Sequence, residues 1–263
     1  VNLPLFRAHD DPGPSFAELL RRTGFDEPAL TYDGTLPASD FRHGTTCVAV
    51  RYADGVLLAG DRRATSGNLI SHRSLEKVFP ADRHSGVAIA GAAGPAIEMV
   101  KLFQLQLEHY EKVEGGALSL EGKANQLGQM IRGNLPAAMQ GLAVVPIFAG
   151  FDVGRDEGRL FEYDVTGGRY EETETASTGS GSLHAGTVLR MGYRDSLDAA
   201  TVTDLALESL FEAADQDSAT GGPDPVRGIY PVVALITADG YRRLDDDELA
   251  DRTQALIERR RNR

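Results

Sequence analysis

Apolar and polar positions follow two different periods along the 263 residues, and the period changes in blocks. From Thr46 to Tyr52 the chain is apolar and β-branched, Asp54-Gly55 is a hairpin-turn signal, and Val56 to Ala59 is a second apolar run. The stretches "TSGNLIS", "EKVFP" and "GVAIAG" carry strand signals on to Gly91. Helical period then takes over. Pro95 suits a first helical position, and Ile97, Val100, Phe103, Leu107 and Tyr110 recur at three- and four-residue steps. Leu120, Ala124, Leu127, Ile131 and Leu135 mark a second helix. Strands resume with "VVPIFAGFD", "GRLFEYD" and "GGRYEET", separated by Gly-rich turns. Two further helices are predicted, one capped by Ser182 and one through Val202, Ala206, Leu210 and Ala213. The strand "IYPVVALIT", a turn at Asp239-Gly240 and a helix from about Asp246 close the chain. Blocks of strands and helices, rather than strict alternation, predict an α+β fold of antiparallel sheets covered by helices.

Residues 1–44 stand apart, rich in Pro, Asp and Gly and without sustained periodicity. One short helix is expected there, because Ser15 and Glu18 form a capping-box pattern ahead of Leu19 and Leu20. Its apolar face, Phe16, Leu19 and Leu20, is too small to fold alone. The segment reads either as an unstructured tail or as a prosegment that docks elsewhere.

Composition narrows the chemistry. A formal net charge of −12 argues against a nucleic-acid partner or an anionic membrane. The single cysteine, Cys47, excludes a disulfide framework and any multi-cysteine metal site. No apolar run is long enough for a membrane span and the first residues lack a signal peptide's apolar centre, so a cytoplasmic protein is expected. The G-x-S-x-G, H-E-x-x-H and G-x-x-x-x-G-K-[ST] motifs are absent, "DQDSATGG" fails the calcium-loop pattern, and "GSGSLHAG" lacks the third glycine of a dinucleotide fingerprint.

What remains is the threonine pair behind Gly44. A Thr hydroxyl needs a base to take its proton, and the amide nitrogen of an internal Thr has no basicity. A Thr at a free N-terminus carries an α-amine with a pKa of roughly 7.7–8, which makes nucleophile and base one residue. Such chemistry requires a cut immediately before Thr and a small residue there for access; Gly44-Thr45 fits. Folding about Asp54-Gly55 returns Asp61 to the end of the ribbon where Thr45 lies, to within about 10 Å. Asp61 can then hold Lys77, the one lysine in the strands that follow, close to the hydroxyl. Thr46 and Cys47 lack a free amine, and removing either side chain is expected to leave most activity.

Together these residues resemble a proteasome β subunit of the N-terminal-nucleophile hydrolase type. The resemblance runs from Thr45 to about Asp239 through "TTCVAVRYADGVLLAGDRRAT", "EKVF", "AIAGAAG", "TGSGSLHAG" and "DQDSATGGPDPVRGIYP". The last of these, with "RGNLPAAMQGL", is similar to actinobacterial members. It implies a four-layer αββα sandwich over residues 45–263, with residues 1–44 as a propeptide removed by Thr45 itself. By matching motif positions, Thr45 would be the nucleophile, tuned by Asp61 and Lys77, with Ser180 and Asp217 around the α-amine. Gly91 would offer its N–H to the oxyanion. Thr65 and Ala93 would hold substrate as an added strand, while Ile89 and Ala64 would line an apolar first pocket. The family commonly has Ser at the position of Thr220.

The resemblance further implies no metal or cofactor, seven-membered rings of this subunit stacked between α-subunit rings, and an ATP-driven unfoldase ring. Substrates would be unfolded proteins, in actinobacteria often tagged with a ubiquitin-like modifier. A non-catalytic ring subunit and a small-molecule amidase are the competing readings. The complete set Gly44, Thr45, Asp61, Lys77 and Gly91 speaks against the first, and the matches in the peptide-binding segment against the second.

Overall fold

The computed structural model describes residues 5–7, 10–25 and 44–262. Two five-stranded sheets, antiparallel throughout, lie face to face. The first contains β1 (Thr46–Tyr52), β2 (Gly55–Gly60), β10 (Thr175–Gly179), β11 (Val232–Thr237) and β12 (Gly240–Arg243), in the order β10-β1-β2-β11-β12. The second has β5 (Val78–Asp82), β6 (Ser85–Gly91), β7 (Val144–Asp152), β8 (Glu157–Tyr163) and β9 (Arg169–Glu172) in sequence order. A separate hairpin, β3 (Ala64–Ser66) and β4 (Leu69–His72), projects from the body.

Strands β1 and β2 are buried on both faces, which is why they read as continuous apolar runs rather than as alternation. One face supplies Cys47, Ala49, Val56 and Leu58 to the layer between the sheets, where they meet Ala88, Ile147, Ala149 and Leu160. The other supplies Val48, Val50, Leu57 and Ala59 to the contact with α5 (Ser182–Gly192), α6 (Ala199–Gln216) and α7 (Asp246–Arg261). The outer face of the second sheet packs Val87, Phe148 and Phe161 against α2 (Ala93–Glu114) and α3 (Leu120–Gly133). The order helices, sheet, sheet, helices is the expected αββα sandwich. A one-turn helix, α4 (Leu135–Ala138), leads from α3 towards β7.

Local details depart from the pattern reading. Pro95 is the third helical residue of α2, not the first. The Ala92 N–H is taken by Ala143 O, and Ala96 N–H makes the first helical bond to Ala92 O, so the missing Pro95 N–H falls where a helix has no acceptor. Ser182 opens α5 without capping it; Gly181 is the N-cap. Strands β10 and β12 escaped notice because "TASTG" and "GYRR" are short and built of small or charged residues.

Helix α1 (Phe16–Thr23) forms where the Ser15 pattern predicts it, although only half of the capping box closes: Glu18 N–H donates to Ser15 Oγ at 3.3 Å. The other half is lost because the Glu18 carboxylate pairs with Arg21 and Arg22. The segment docks. Phe6 and Leu19 bury against Leu105 of α2, Lys112 sits 3.4 Å over the Phe6 ring, and a ring nitrogen of His109 lies 2.9 Å from Gly13 O. For these residues the docked alternative holds over the loose tail. The contrast in character around His43 lies partly outside the described residues.

Candidate active site

The hairpin register follows from two apolar strands joined at Ala53-Asp54. Cys47 faces Gly60, so Asp61 is returned opposite Thr46, with its N–H donating to Thr46 O at 3.1 Å. Strand β5 enters from the other sheet immediately after Lys77. Asp61 and Lys77 therefore meet in the interior, 0 % and 1 % exposed. Lys77 Nζ lies 2.6 Å from Asp61 Oδ1 and also donates to Arg63 O at 2.5 Å. Asp61 further accepts from Thr46 N at 2.8 Å, Arg63 N at 2.9 Å and Gly221 N at 2.8 Å. An ion pair so deeply buried holds because hydrogen bonds offset the desolvation of both charges: the carboxylate accepts from three backbone N–H groups besides Lys77, and the ammonium donates to Asp61 and Arg63 O.

Thr45 stands just ahead of β1, 4 % exposed. The chain is continuous through Gly44-Thr45, so the Thr45 nitrogen is the amide of that bond. Its hydroxyl lies 2.8 Å from Gly44 O. Gly44 is held in turn by a 3.1 Å hydrogen bond from its N–H to Thr65 Oγ1. A Cβ at Gly44 would fall 1.9 Å from the Cβ of Ala219, so only glycine fits this seat.

A second polar group faces Thr45 from the ends of β10 and α6. Ser180 N donates to Thr45 O at 2.8 Å, and Ser180 Oγ lies 3.4 Å from Thr45 N. Asp217 Oδ2 accepts from Ser180 Oγ at 2.5 Å and from Thr220 Oγ1 at 2.6 Å, while Ala219 N donates to Oδ1 at 3.2 Å. Burial pushes the Asp217 carboxyl up, and the hydrogen bonds from Ser180, Thr220 and Ala219 more than offset it, leaving it below the usual carboxylate range. Thr220, where the resemblance implies Ser, supplies its hydroxyl to this group. Arg63 ties the two groups together, its Nη1 donating to Ser218 O at 3.0 Å and Thr220 O at 3.1 Å.

The remaining expected residues surround this centre less directly. Gly91 ends β6 two residues beyond Ile89, whose N–H bonds to Lys77 O at 2.8 Å. Its φ of +108°, and the 2.1 Å a Cβ would leave to Ala143 O, demand glycine. Ala64 is buried, and so is Ile89, which belongs to the core beneath α2. Ala93 is the first, half-buried residue of α2 and makes no described hydrogen bond to Gly44 or Thr45.

Two residues went unrecognised at the level of sequence. Arg63 bridges both halves. Thr46 was set aside for lacking a free amine, yet its hydroxyl is fully buried between Thr220 Oγ1 at 2.6 Å and Gly181 N at 3.1 Å. The available signal was its place in β1: neighbours along a strand face opposite ways, so a buried polar residue beside Thr45 had to find partners.

Cys47 is inert by its surroundings. Burial, opposed only in part by the charge of Lys77, pushes its thiol up to about 12. The thiol therefore stays protonated at neutral pH. Iodoacetamide is expected to leave Cys47 unmodified in the folded protein and to alkylate it after denaturation, as intact mass would show; rapid labelling of folded protein would contradict this burial.

An antiparallel double sheet between helix layers, with a buried threonine just ahead of β1, resembles the arrangement of the N-terminal-nucleophile hydrolases. Comparison with known proteins specifies the family. A family model described as "Proteasome subunit" matches residues 41–226. A protein of Acidimicrobium ferrooxidans named "Proteasome subunit beta" is 60% identical over 249 residues, covering 95% of this chain and 91% of that one. Another of the same name from Streptomyces griseus is 59% identical over 218 residues, covering 83% and 78%. The chain belongs to the proteasome subunit family. Among the described residues no helix is long and apolar enough to cross a membrane.

Proposed function

We propose that this chain is a β-type, peptide-cleaving subunit of a proteasome core particle, a threonine endopeptidase made as a precursor. Residues 1–44 form the propeptide and 45–263 the mature domain. The carrying observation is the seat of Thr45, itself 4 % exposed, whose hydroxyl lies 2.8 Å from the Gly44 carbonyl oxygen.

Maturation begins with attack of Thr45 Oγ on the Gly44 carbonyl carbon. The C–N bond breaks as an ester forms, and the hydroxyl proton goes to the released nitrogen. Water then hydrolyses the ester, freeing Gly44 as a carboxylate and Thr45 as a primary amine. In turnover that amine takes the hydroxyl proton, Oγ attacks a substrate carbonyl, the leaving amine is protonated, and water releases the acyl group. Lys77, anchored by Asp61 and Arg63 O, places positive charge beside the hydroxyl and favours its deprotonated form. Gly91 N–H receives the oxyanion. Thr65 and Ala93 hold the substrate as an extended strand through their main chain, while Ile89 and Ala64 offer an apolar first pocket.

The subunit assembles with copies of itself and with α-type subunits in stacked seven-membered rings around an enclosed chamber, in the cytoplasm. An ATP-dependent unfoldase ring delivers unfolded proteins, some bearing a ubiquitin-like tag.

Intact-mass analysis and N-terminal sequencing after co-expression with an α-type subunit test this reading. The expected product begins at Thr45, and any other N-terminus removes the basis for an amine-activated hydroxyl. Gly44→Ala is expected to slow processing at least about 10-fold, since the added methyl displaces the 219 loop and shifts the carbonyl from attack geometry. Wild-type processing of that variant would show the seat to be unnecessary.

A further inference from the structure

The hydroxyls around Asp217 can be assigned donors and acceptors, because each carries one proton. Ser180 and Thr220 both give theirs to Asp217 Oδ2, at 2.5 and 2.6 Å. With its proton committed, Thr220 Oγ1 can only accept in its 2.6 Å contact with Thr46, so Thr46 is the donor there. Thr46 Oγ1 in turn accepts from Gly181 N–H at 3.1 Å. Likewise Ser180 Oγ can only accept across the 3.4 Å to the Thr45 nitrogen. The order runs Gly181 N–H to Thr46, Thr46 to Thr220, Thr220 to Asp217, and Ser180 to Asp217 from the other side.

We propose that Thr46 is a positioning residue for the reaction at Thr45: by donating to Thr220 it locks this proton order, which holds Ser180 as an acceptor facing the Thr45 nitrogen. The inference rests on the reading of Thr45 as nucleophile. In a cut chain the nitrogen then gives one N–H to Ser180 and turns its lone pair to the Thr45 hydroxyl proton. Thr46 also donates its backbone N–H to Asp61 Oδ1 at 2.8 Å, so one fully buried residue joins the lysine side of the site to the amine side. Without the Thr46 proton, Thr220 is free to turn away from Asp217, and Ser180 loses its fixed direction. Thr46 touches neither the scissile carbonyl nor the nucleophilic oxygen, so its effect falls on the chemical step and not on peptide binding.

Processed particles carrying Thr46→Val, Thr46→Ser, Thr220→Val and the Thr46→Val/Thr220→Val pair test this with a fluorogenic peptide. Valine keeps the shape of threonine and loses the donor; serine keeps the donor and loses the methyl. Thr46→Val is expected to lower kcat about 10-fold with KM within about two-fold, and Thr46→Ser to remain near wild type. Thr220→Val should lower kcat by at least as much, and the pair should be no worse than Thr220→Val alone. Wild-type kcat in Thr46→Val overturns the proposal, as does a Thr46→Ser particle no better than Thr46→Val. If Thr46→Val fails to assemble, Thr220→Val and Thr46→Ser decide the matter: a wild-type kcat in the first or a 10-fold loss in the second overturns it. Thr45→Ala in the same assay separates the two readings. Activity in that variant overturns the nucleophile, whereas an inert Thr45→Ala beside a fully active Thr46→Val overturns only the role of Thr46.

Discussion

Thr45→Ala, produced so that residue 45 is already the N-terminus, is expected to assemble and to lose peptide hydrolysis by on the order of 10⁴-fold or more. The variant keeps the α-amine, Lys77, Asp61 and the Ser180-Asp217 pair, so the attacking oxygen alone is missing. Nearby hydroxyls cannot replace it. That of Thr46 is enclosed by Thr220 and Gly181 N–H, and that of Ser180 is committed to Asp217. Cys47, on the adjacent β1 position, is fully buried with its thiol held protonated at neutral pH. Steady-state assays on particles of confirmed N-terminus check the result. Residual turnover above a tenth of wild type would overturn the mechanism, and a processed wild-type particle inert to every peptide would favour a scaffold subunit.

Lys77→Ala is expected to abolish measurable peptide hydrolysis and, in addition, to destabilise the subunit. The sequence pairs Lys77 with Asp61 but does not fix its depth; in the structure the lysine is 1 % exposed. Asp61 is fully buried, and without Lys77 its carboxylate keeps only N–H donors from Thr46, Arg63 and Gly221. Removing one partner of such a pair costs about 3–5 kcal/mol, a large share of the stability of a single domain. Thermal unfolding of the isolated subunit should therefore fall by several degrees, and assembly should suffer with it. Lys77→Arg separates the effects: the charge remains while the bulkier guanidinium fits this small cage poorly, so partial recovery of stability without recovery of rate is expected. A Lys77→Ala particle with wild-type melting and wild-type turnover would show that the buried pair serves neither purpose.

Much of this molecule was readable from local pattern. Continuous apolar runs at 46–52 and 56–59 around Asp54-Gly55 spell a central hairpin, and three- and four-residue steps in 97–110 and 120–131 spell the covering helices. Both periods are properties of a few adjacent residues. The hairpin alone brings Asp61 back to the start of β1, so the sequence itself pairs Thr45 with Asp61. Ser15 ahead of Phe16 likewise announces α1. Other features have no local signature. Strand β2 pairs with β11, Val232 opposite Gly60, across more than 170 residues, and nothing near either strand names its partner. Strands β10 and β12 exist because β1 and β11 offer them edges, not because "TASTG" or "GYRR" favours extension. The docking of α1 on Leu105, the clamp of Arg63 on the 218–220 loop and the burial of Lys77 depend on which surfaces meet after the sheets have stacked. So does the direction of each proton around Asp217. Period is written residue by residue, whereas burial and hydrogen-bond direction belong to the assembled layers, where desolvation forces each polar group to find a partner.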